Sequence, residues 1–351
     1  MRASRAALWA EQRSAPTVKN MKDIKRWLPG AIISILLILA IIYFVDWSKV
    51  LNALRSADYN ILAIAIVIGF GWMFIRAIVW RTLLRNRASY RDTLLSLGEG
   101  YLLNNFLPFR LGELGRAFFL SRKTDLQFVE ILPTIIIERA TDLAYTAAIF
   151  LASLPFVVGA AGADRIGIVI GVIVVIGLVA MYLLARNDQW ALDTFHRLSA
   201  RWPSIQRFGG SLLESFLTGL AVLTDGWLFL RFLFWMAINW SMAIVSYYLA
   251  IRAFFPQTQL TWGMFGLGAA AFGGAIPSLP GAVGTFEGAF GGALTLLTHD
   301  QSTSLAVALT ARFINYLTSI VIGGYALSRE GQTLAGIYHE LMNLRAKSEP
   351  T

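Results

Sequence analysis

The chain has 351 residues, of which 56% are hydrophobic and 15% are charged, and its formal net charge is +9. Soluble domains are about 45–50% apolar and about 25% charged, so this composition indicates a membrane protein. The absence of cysteine excludes disulfides and thiolate chemistry, and the three histidines are far apart in the sequence and show no metal-ligand spacing. We therefore expect no metal and no cofactor, and we assign the positive charge to the flanks of membrane spans rather than to nucleic-acid binding.

Long apolar runs predict transmembrane helices, because each can cross about 30 Å of hydrocarbon. The first run lacks a cleavage site and is longer than the hydrophobic part of a signal peptide, so we interpret it as an anchored span. Six runs meet this description, at 28–44, 61–80, 129–156, 166–184, 227–251 and 304–327.

Two further apolar stretches, 94–109 and 263–297, are interrupted by glycine and proline. Several arginine-rich segments flank the predicted spans. Positive residues concentrate in cytoplasmic loops, so we expect these segments in the cytoplasm. All these segments are cytoplasmic only if the two broken stretches are hairpins that return to the side they entered. The fold prediction is therefore an all-α membrane protein with about six transmembrane helices, two re-entrant hairpins and both termini in the cytoplasm, in the inner (plasma) membrane.

The predicted membrane domain extends over 28–328, between a basic N-terminal segment at 1–27 and a C-terminal tail at 329–351. Its halves are about 60–158 and 227–328, joined by a mixed polar and aromatic linker at 190–225 that is typical of amphipathic surface helices. Each half has the order span, hairpin, span, and related residues recur at an offset of about 172, as with Pro108 and Pro280. Opposite orientations of the halves predict an inverted repeat, which is typical of transporters.

The first hairpin carries charges around its glycine and proline residues. Irregular backbone at membrane depth is tolerated where it is buried in protein or lines a wet cavity. Pro108 and Gly112 interrupt the helix there, Arg110 and Arg116 can pair with phosphate, and Glu113 can neutralise an arginine or meet a cationic head-group. The alternative is a cytoplasmic loop whose arginines anchor at lipid head-groups.

The second hairpin has a similar break at Pro280, Gly281 and Gly284, followed by Glu287, the only acid between 225 and 300. A carboxylate in apolar sequence is costly and is by default a candidate functional residue. The alternative is a structural ion pair with Arg312.

Two spans carry further charges. Arg139 and Asp142 are three residues apart in an apolar helix and share a face, so they can pair with each other or bind a ligand. Arg312 has Asn315 at the same spacing and Tyr316 next to it. Because Asn315 is uncharged, Arg312 must meet Glu287, a lipid phosphate or solvent.

In combination, these motifs resemble the transmembrane region of the lysylphosphatidylglycerol synthase/flippase family, over roughly residues 30–340. The motifs are Pro108-x-Arg110-x-Gly112-Glu113-x-x-Arg116, Glu138-Arg139-x-x-Asp142, Leu279-Pro280-Gly281 with Gly284 and Glu287, and Arg312-x-x-x-Tyr316. The resemblance implies a membrane protein that flips or handles a phospholipid or a related polyprenyl or hopanoid lipid. Full-length members continue into an aminoacyl-transfer domain, for which the sequence up to Thr351 leaves no room, so we expect no such activity.

The sequence thus favours a flippase-like protein rather than an enzyme, with a lipid phosphate bound by four arginines. These are Arg110, Arg116, Arg139 and Arg312, accompanied by Glu113, Asp142, Glu287 and Tyr316. The acids are expected to balance charge or to carry a coupling proton. Two alternatives stay open: a membrane-embedded transferase acting on a lipid-linked substrate, and an auxiliary subunit of a lipid-modifying system. The partner, beyond the lipid, is then a second copy of the chain or a separate lipid-modifying enzyme.

Overall fold

The computed structural model describes residues 35–43, 45–106, 111–159, 187–200, 225–276 and 278–330, with isolated positions between 165 and 186. In these ranges the regular structure is helical, and no strand occurs, which confirms the all-α prediction. In chain order the helices are α1 (Ile35–Tyr43), α2 (Trp47–Ser56), α3 (Tyr59–Leu83), α4 (Tyr90–Phe106), α5 (Gly112–Lys123), α6 (Phe128–Val158), α7 (Asp188–Ser199), α8 (Gly226–Arg252), α9 (Leu260–Ala275), α10 (Thr285–Thr298) and α11 (Gln301–Glu330).

Four of the described helices, α3, α6, α8 and α11, are long and apolar enough to cross a membrane. A fifth span results if α1 and α2, which meet at 84°, form one broken crossing. The predicted span at 28–44 begins outside the described residues, and most of the span at 166–184 lies outside them. The total of six spans therefore stays a prediction, whereas a multi-pass membrane protein is established.

The second glycine- and proline-broken stretch, 263–297, forms a helical hairpin of α9 and α10. The first stretch, 94–109, covers α4 alone, and its hairpin is completed by α5, which begins beyond the predicted stretch at Gly112. Helices α4 and α5 have 17 and 12 residues, and α9 and α10 have 16 and 14. At 1.5 Å per residue these helices are about 18–26 Å long, too short to cross the hydrocarbon alone. Arg91 at the start of α4 and Lys123 at the end of α5 line one cavity, so the first hairpin returns to the side it entered. In the second hairpin, Trp262 near the start of α9 and Leu297 near the end of α10 pack against the same core cluster.

Helices α3 and α8 run in opposite directions, and so do α6 and α11. The start of α3 lies beside the end of α8, where the Asp58 amide donates to the Ala253 carbonyl at 2.9 Å. Helix α6 starts beside the arginine-rich end of α3, where Arg87 and Glu130 are 3.3 Å apart. Helix α11 instead ends on that side, since Arg329 shares a cavity with residues from the open end of the first hairpin.

Each hairpin packs against the last span of the other half. In the first hairpin, a Cβ on Gly98 of α4 would lie 3.1 Å from the Gly323 amide nitrogen of α11. In the second hairpin, Phe265 of α9 stacks on Phe150 of α6 with ring centroids 5.1 Å apart. The hairpins are therefore held between the two halves and not against one half alone.

Close backbone packing inside the first hairpin makes Gly112 sensitive to substitution. A Cβ at this position would collide with the Gly100 carbonyl and lie 2.6 Å from Asn104 Oδ1. We expect Gly112→Ala to lower the free energy of unfolding by about 1–3 kcal/mol, because the backbone of α4 must move away. The measurement is SDS-induced unfolding of the purified protein in mixed micelles. Gly292→Ala is the matched control, since a Cβ added at that position would have nothing within 4 Å, and it is expected to be neutral or slightly stabilising.

Candidate functional site

A group of buried charges, here called the charge network, joins three helices of the first half. Its six members are Arg76 of α3, Glu113 and Arg116 of α5, and Glu138, Arg139 and Asp142 of α6. Three of them are cationic and three are anionic, so the network is neutral as a whole. Burial of several charges in one place is tolerated because each is paired.

Glu138 is the hub of the charge network. Its Oε1 atom accepts hydrogen bonds from Arg76 at 2.7 Å and from both Arg116 and Arg139 at 2.9 Å. The Glu138 side chain is fully buried. One carboxylate therefore ties together a guanidinium from each of the three helices.

Arg76 connects the network to the second half. Its guanidinium donates to both carboxylate oxygens of Asp142 and, at 3.3 Å, to Asn239 Oδ1 of α8. Asn239 in turn donates to the Trp72 carbonyl at 3.0 Å. Because the Arg76 side chain is only 2% exposed, its charge is balanced by these protein groups and not by solvent.

Helix α5 places Glu113 and Arg116 in the network. Arg116 lies over the Trp80 ring at 4.8 Å from the centroid, and its Nη2 atom is 3.0 Å from Glu113 Oε2. The first hairpin fixes the start of α5, since Asn104 accepts from the Gly112 amide at 2.9 Å and donates to Glu113 at 3.3 Å. Asn104 thus helps to set the positions of Glu113 and Arg116, a carboxylate and a guanidinium one helical turn apart.

Arg139 is the accessible member among the network's arginines. Its side chain is 35% exposed, whereas those of Arg76 and Arg116 are each 2% exposed. Beyond Glu138, it lies 3.2 Å from Asp142 and 3.4 Å from Glu113. A ligand that approaches the network therefore meets the Arg139 guanidinium before the others.

The second hairpin carries a separate pair, Glu287 and Arg312. Arg312 binds the carboxylate in bidentate fashion, with Nε–Oε1 at 2.7 Å and Nη2–Oε2 at 2.9 Å. It also donates to the carbonyls of Gly281 and Ala282, and its guanidinium lies over the Phe286 ring. Of the alternatives that the sequence left open for Arg312, the structure shows the contact with Glu287.

Glycine geometry creates this arrangement at the tip of the second hairpin. Gly281 and Gly284 have φ of +68° and +88°, a region that residues with a Cβ rarely adopt. The turn presents two carbonyls to Arg312, and the Gly284 amide donates to Glu287 at 2.9 Å. Tyr316 lies beside Arg312, with 5.5 Å between the guanidinium and the ring centroid.

The pairs Glu113–Arg139 and Glu287–Arg312 occupy corresponding places. Each acid lies in the first turn of the second helix of its hairpin. Each arginine is the twelfth residue of the span that follows, counted from Phe128 and from Gln301. The first half adds Arg76, Arg116, Glu138 and Asp142 to this common element.

The structure thus assembles most residues selected from the sequence in these two places. Pro108 and Arg110 lie outside the described residues. Sequence reasoning did not select Arg76, Glu138 or Asn239 as site residues. Arg76 is the only charged residue in the apolar run 61–80, and an ionisable residue inside a span is a signal that could have identified it.

Comparison with known proteins agrees with this architecture. The family model described as the lysylphosphatidylglycerol synthase TM region matches residues 27–323. A UPF0104 membrane protein of Methanothermobacter thermautotrophicus is 22% identical over 338 residues, which cover 93% of this chain and 100% of that protein. A UPF0104 membrane protein of Methanocaldococcus jannaschii is 30% identical over 138 residues, 36% of this chain and 38% of that protein. No solved structure matches the chain. Since the family model spans most of the chain and both hairpins, the chain belongs to the family of the lysylphosphatidylglycerol synthase transmembrane region.

Proposed function

We propose that the chain binds a phosphate-bearing amphipathic lipid and moves it across the membrane. The observation that carries the proposal is the charge network, in which a partly exposed arginine is backed by paired charges inside an apolar protein. Ionisable residues within membrane spans are costly and commonly mark a substrate pathway. A guanidinium binds phosphate with two parallel hydrogen bonds, which suits Arg139 to a lipid head-group.

The two hairpins supply a means of alternating access. In this proposal the halves form an inverted repeat, supported by the antiparallel corresponding spans and by the matched pairs Glu113–Arg139 and Glu287–Arg312. Arg139 is 35% exposed and Arg312 only 12% exposed, so one pair is open while the other is closed. Exchange of these roles would expose the site on alternate sides, as in other transporters built from inverted repeats.

The lipid phosphate would enter by replacing a carboxylate on Arg139. Glu113 is the acid closest to release, because its contact with Arg139 is the longest of the three ion pairs that this arginine makes. Arg116 would retain Glu113 near its present place while the phosphate is bound. We further propose a location in the inner (plasma) membrane with both termini in the cytoplasm, on the basis of the arginine-rich ends of the spans.

Arg139→Gln tests the proposal in proteoliposomes that contain a fluorescent phospholipid. We expect translocation to slow about tenfold, the effect of losing one charged hydrogen bond to the head-group. Dithionite quenching of the outer leaflet measures the rate, and Arg55→Gln, an exposed arginine of α2, is the control. Arg139→Lys retains the charge without the bidentate geometry and should give an intermediate rate, provided that both variants keep the thermal midpoint of the parent protein.

Unchanged translocation in Arg139→Gln would refute this role of the network. Formation of a covalent product from a lipid-linked substrate by the purified protein would favour the transferase alternative instead. An auxiliary subunit predicts that Arg139→Gln leaves function in cells intact, while substitutions on the lipid-facing or aqueous surface abolish it.

A further inference from the structure

A basic site, separate from the charge network, lies at the open end of the first hairpin. A cavity of about 200 Å³ is lined there by the start of α4, the end of α5 and the end of α11. We refer to it as the basic cavity. Its lining residues are Arg91, Asp92, Leu95, Lys123, Ala326 and Arg329.

The charges of the basic cavity favour an anion. Lys123 is 15% exposed and donates to the fully buried Glu99 carboxylate at 2.8 Å, so this cation is held in the wall by a counter-charge behind it. Arg91 and Arg329 are exposed, and neither forms an ion pair with another described residue. Arg91 and Arg329 therefore line the cavity without a carboxylate partner among the described residues.

The one acid in the lining is already engaged. Asp92 accepts a hydrogen bond from the Ser89 hydroxyl at 2.6 Å, and its amide donates to Ser89 Oγ at 3.1 Å. This reciprocal pair caps the start of α4, where an acidic side chain also stabilises the helix dipole. Asp92 thus stabilises the start of the helix. Its charge and that of Glu99 are outnumbered by the three cations of the lining, Arg91, Lys123 and Arg329, so the cavity keeps a net positive charge.

The position of the cavity identifies the kind of anion. The cavity lies where a span ends and a short hairpin opens, beside the arginine-rich connection between α3 and α4. Such a position corresponds to the depth of the lipid head-groups. Leu95 and Ala326 add apolar surface next to the cations. We propose that the basic cavity binds the phosphate of an anionic phospholipid, as basic pockets between transmembrane helices do. This lipid is distinct from the cargo, and the proposal does not depend on the translocation proposed above.

Photo-crosslinking from the cavity itself tests this proposal. In the full chain, Leu95 is replaced by p-benzoylphenylalanine, and the protein is reconstituted with phosphatidylcholine and phosphatidylglycerol in equal amounts. We expect at least tenfold more crosslinked phosphatidylglycerol than phosphatidylcholine, and near equality in the Arg91→Gln/Arg329→Gln double variant, since each arginine near a head-group strengthens binding severalfold.

Two controls make the result specific. Lys49→Gln/Arg55→Gln removes the same charge from α2 and should leave the preference unchanged. The same photoreactive residue at Leu296, an exposed position of α10, should show no preference. Equal crosslinking of both lipids from position 95 in the parent protein would overturn the proposal. Competition by millimolar inorganic phosphate that removes the crosslinks would assign the cavity to free phosphate and would likewise overturn the lipid assignment.

Discussion

Neutralising the hub of the charge network with Glu138→Gln is expected to lower the free energy of unfolding by about 3–5 kcal/mol, the cost of breaking a buried ion pair from one side. Three guanidinium groups converge on one oxygen of this carboxylate. With glutamine there, Arg76, Arg116 and Arg139 are left with only Glu113 and Asp142, and the buried site gains a net charge of +1. SDS-induced unfolding in mixed micelles measures the loss.

Glu130→Gln is the matched control for Glu138→Gln. Glu130 lies on the same helix, α6, and pairs with Arg87, but both side chains are about half exposed. An exposed pair contributes about 0–1 kcal/mol, and glutamine preserves the helix cap that Glu130 forms with the Gln127 amide. A loss at position 138 no larger than that at 130 would show that the network is hydrated rather than buried.

A double-mutant cycle identifies charge balance as the cause. Arg76→Met alone should be about as costly as Glu138→Gln, since it leaves Glu138 and Asp142 with one cation fewer. The double variant Arg76→Met/Glu138→Gln restores neutrality, and we expect its loss to be at least about 2 kcal/mol smaller than the sum of the single losses. Strict additivity would mean that the two side chains are not electrostatically coupled.

The hairpins were predictable because their cause is local. Glycine and proline break a helix wherever they occur, and the runs 94–109 and 263–297 were too irregular to read as plain spans. In the structure α4 ends at Phe106 inside the first stretch, and Gly281 in the second stretch has φ of +68°. The three-residue spacing of Arg139 and Asp142 likewise predicted a shared face, and these side chains are 3.2 Å apart.

The partners of the charges were much less predictable, because they depend on distant segments. Arg76 reaches Glu138 and Asp142 across more than 60 residues, and Asn239 across 163. Helical periodicity shows which residues share a face, but it carries no information about which spans pack together. The pair Glu287–Arg312 could be named as one alternative only because each was the isolated charge of its segment.

The two halves differ in the number and exposure of their buried charges. The first half holds six charged residues in one network, with a partly exposed arginine, whereas the second half holds one closed pair that also binds two carbonyls. The common element is an acid at the start of a hairpin helix and an arginine twelve residues into the next span. In the proposed function, the first half therefore binds the head-group, and the pair Glu287–Arg312 holds the second hairpin closed.

Glu287→Gln is expected to open the second hairpin. Arg312 then keeps only the carbonyls of Gly281 and Ala282 as partners, and its charge is no longer balanced. Losing a mostly buried ion pair corresponds to about 3 kcal/mol, or about a hundredfold change in the population of an open form. The chain has no cysteine, so a single introduced thiol reports on this opening without background.

Maleimide labelling of Thr285→Cys provides the measurement. Thr285 is 2% exposed at the start of α10, and labelling should be slow in the parent protein and about a hundredfold faster when Glu287→Gln is added. Ser304→Cys, fully buried in α11, is the control and should stay slow in both, which separates local opening from unfolding. Adding Arg312→Met to Glu287→Gln removes the unbalanced charge, but it leaves the carbonyls of Gly281 and Ala282 without a hydrogen-bond donor. We therefore expect position 285 to be labelled at an intermediate rate. If position 285 remains slow in Glu287→Gln, the ion pair does not close the hairpin.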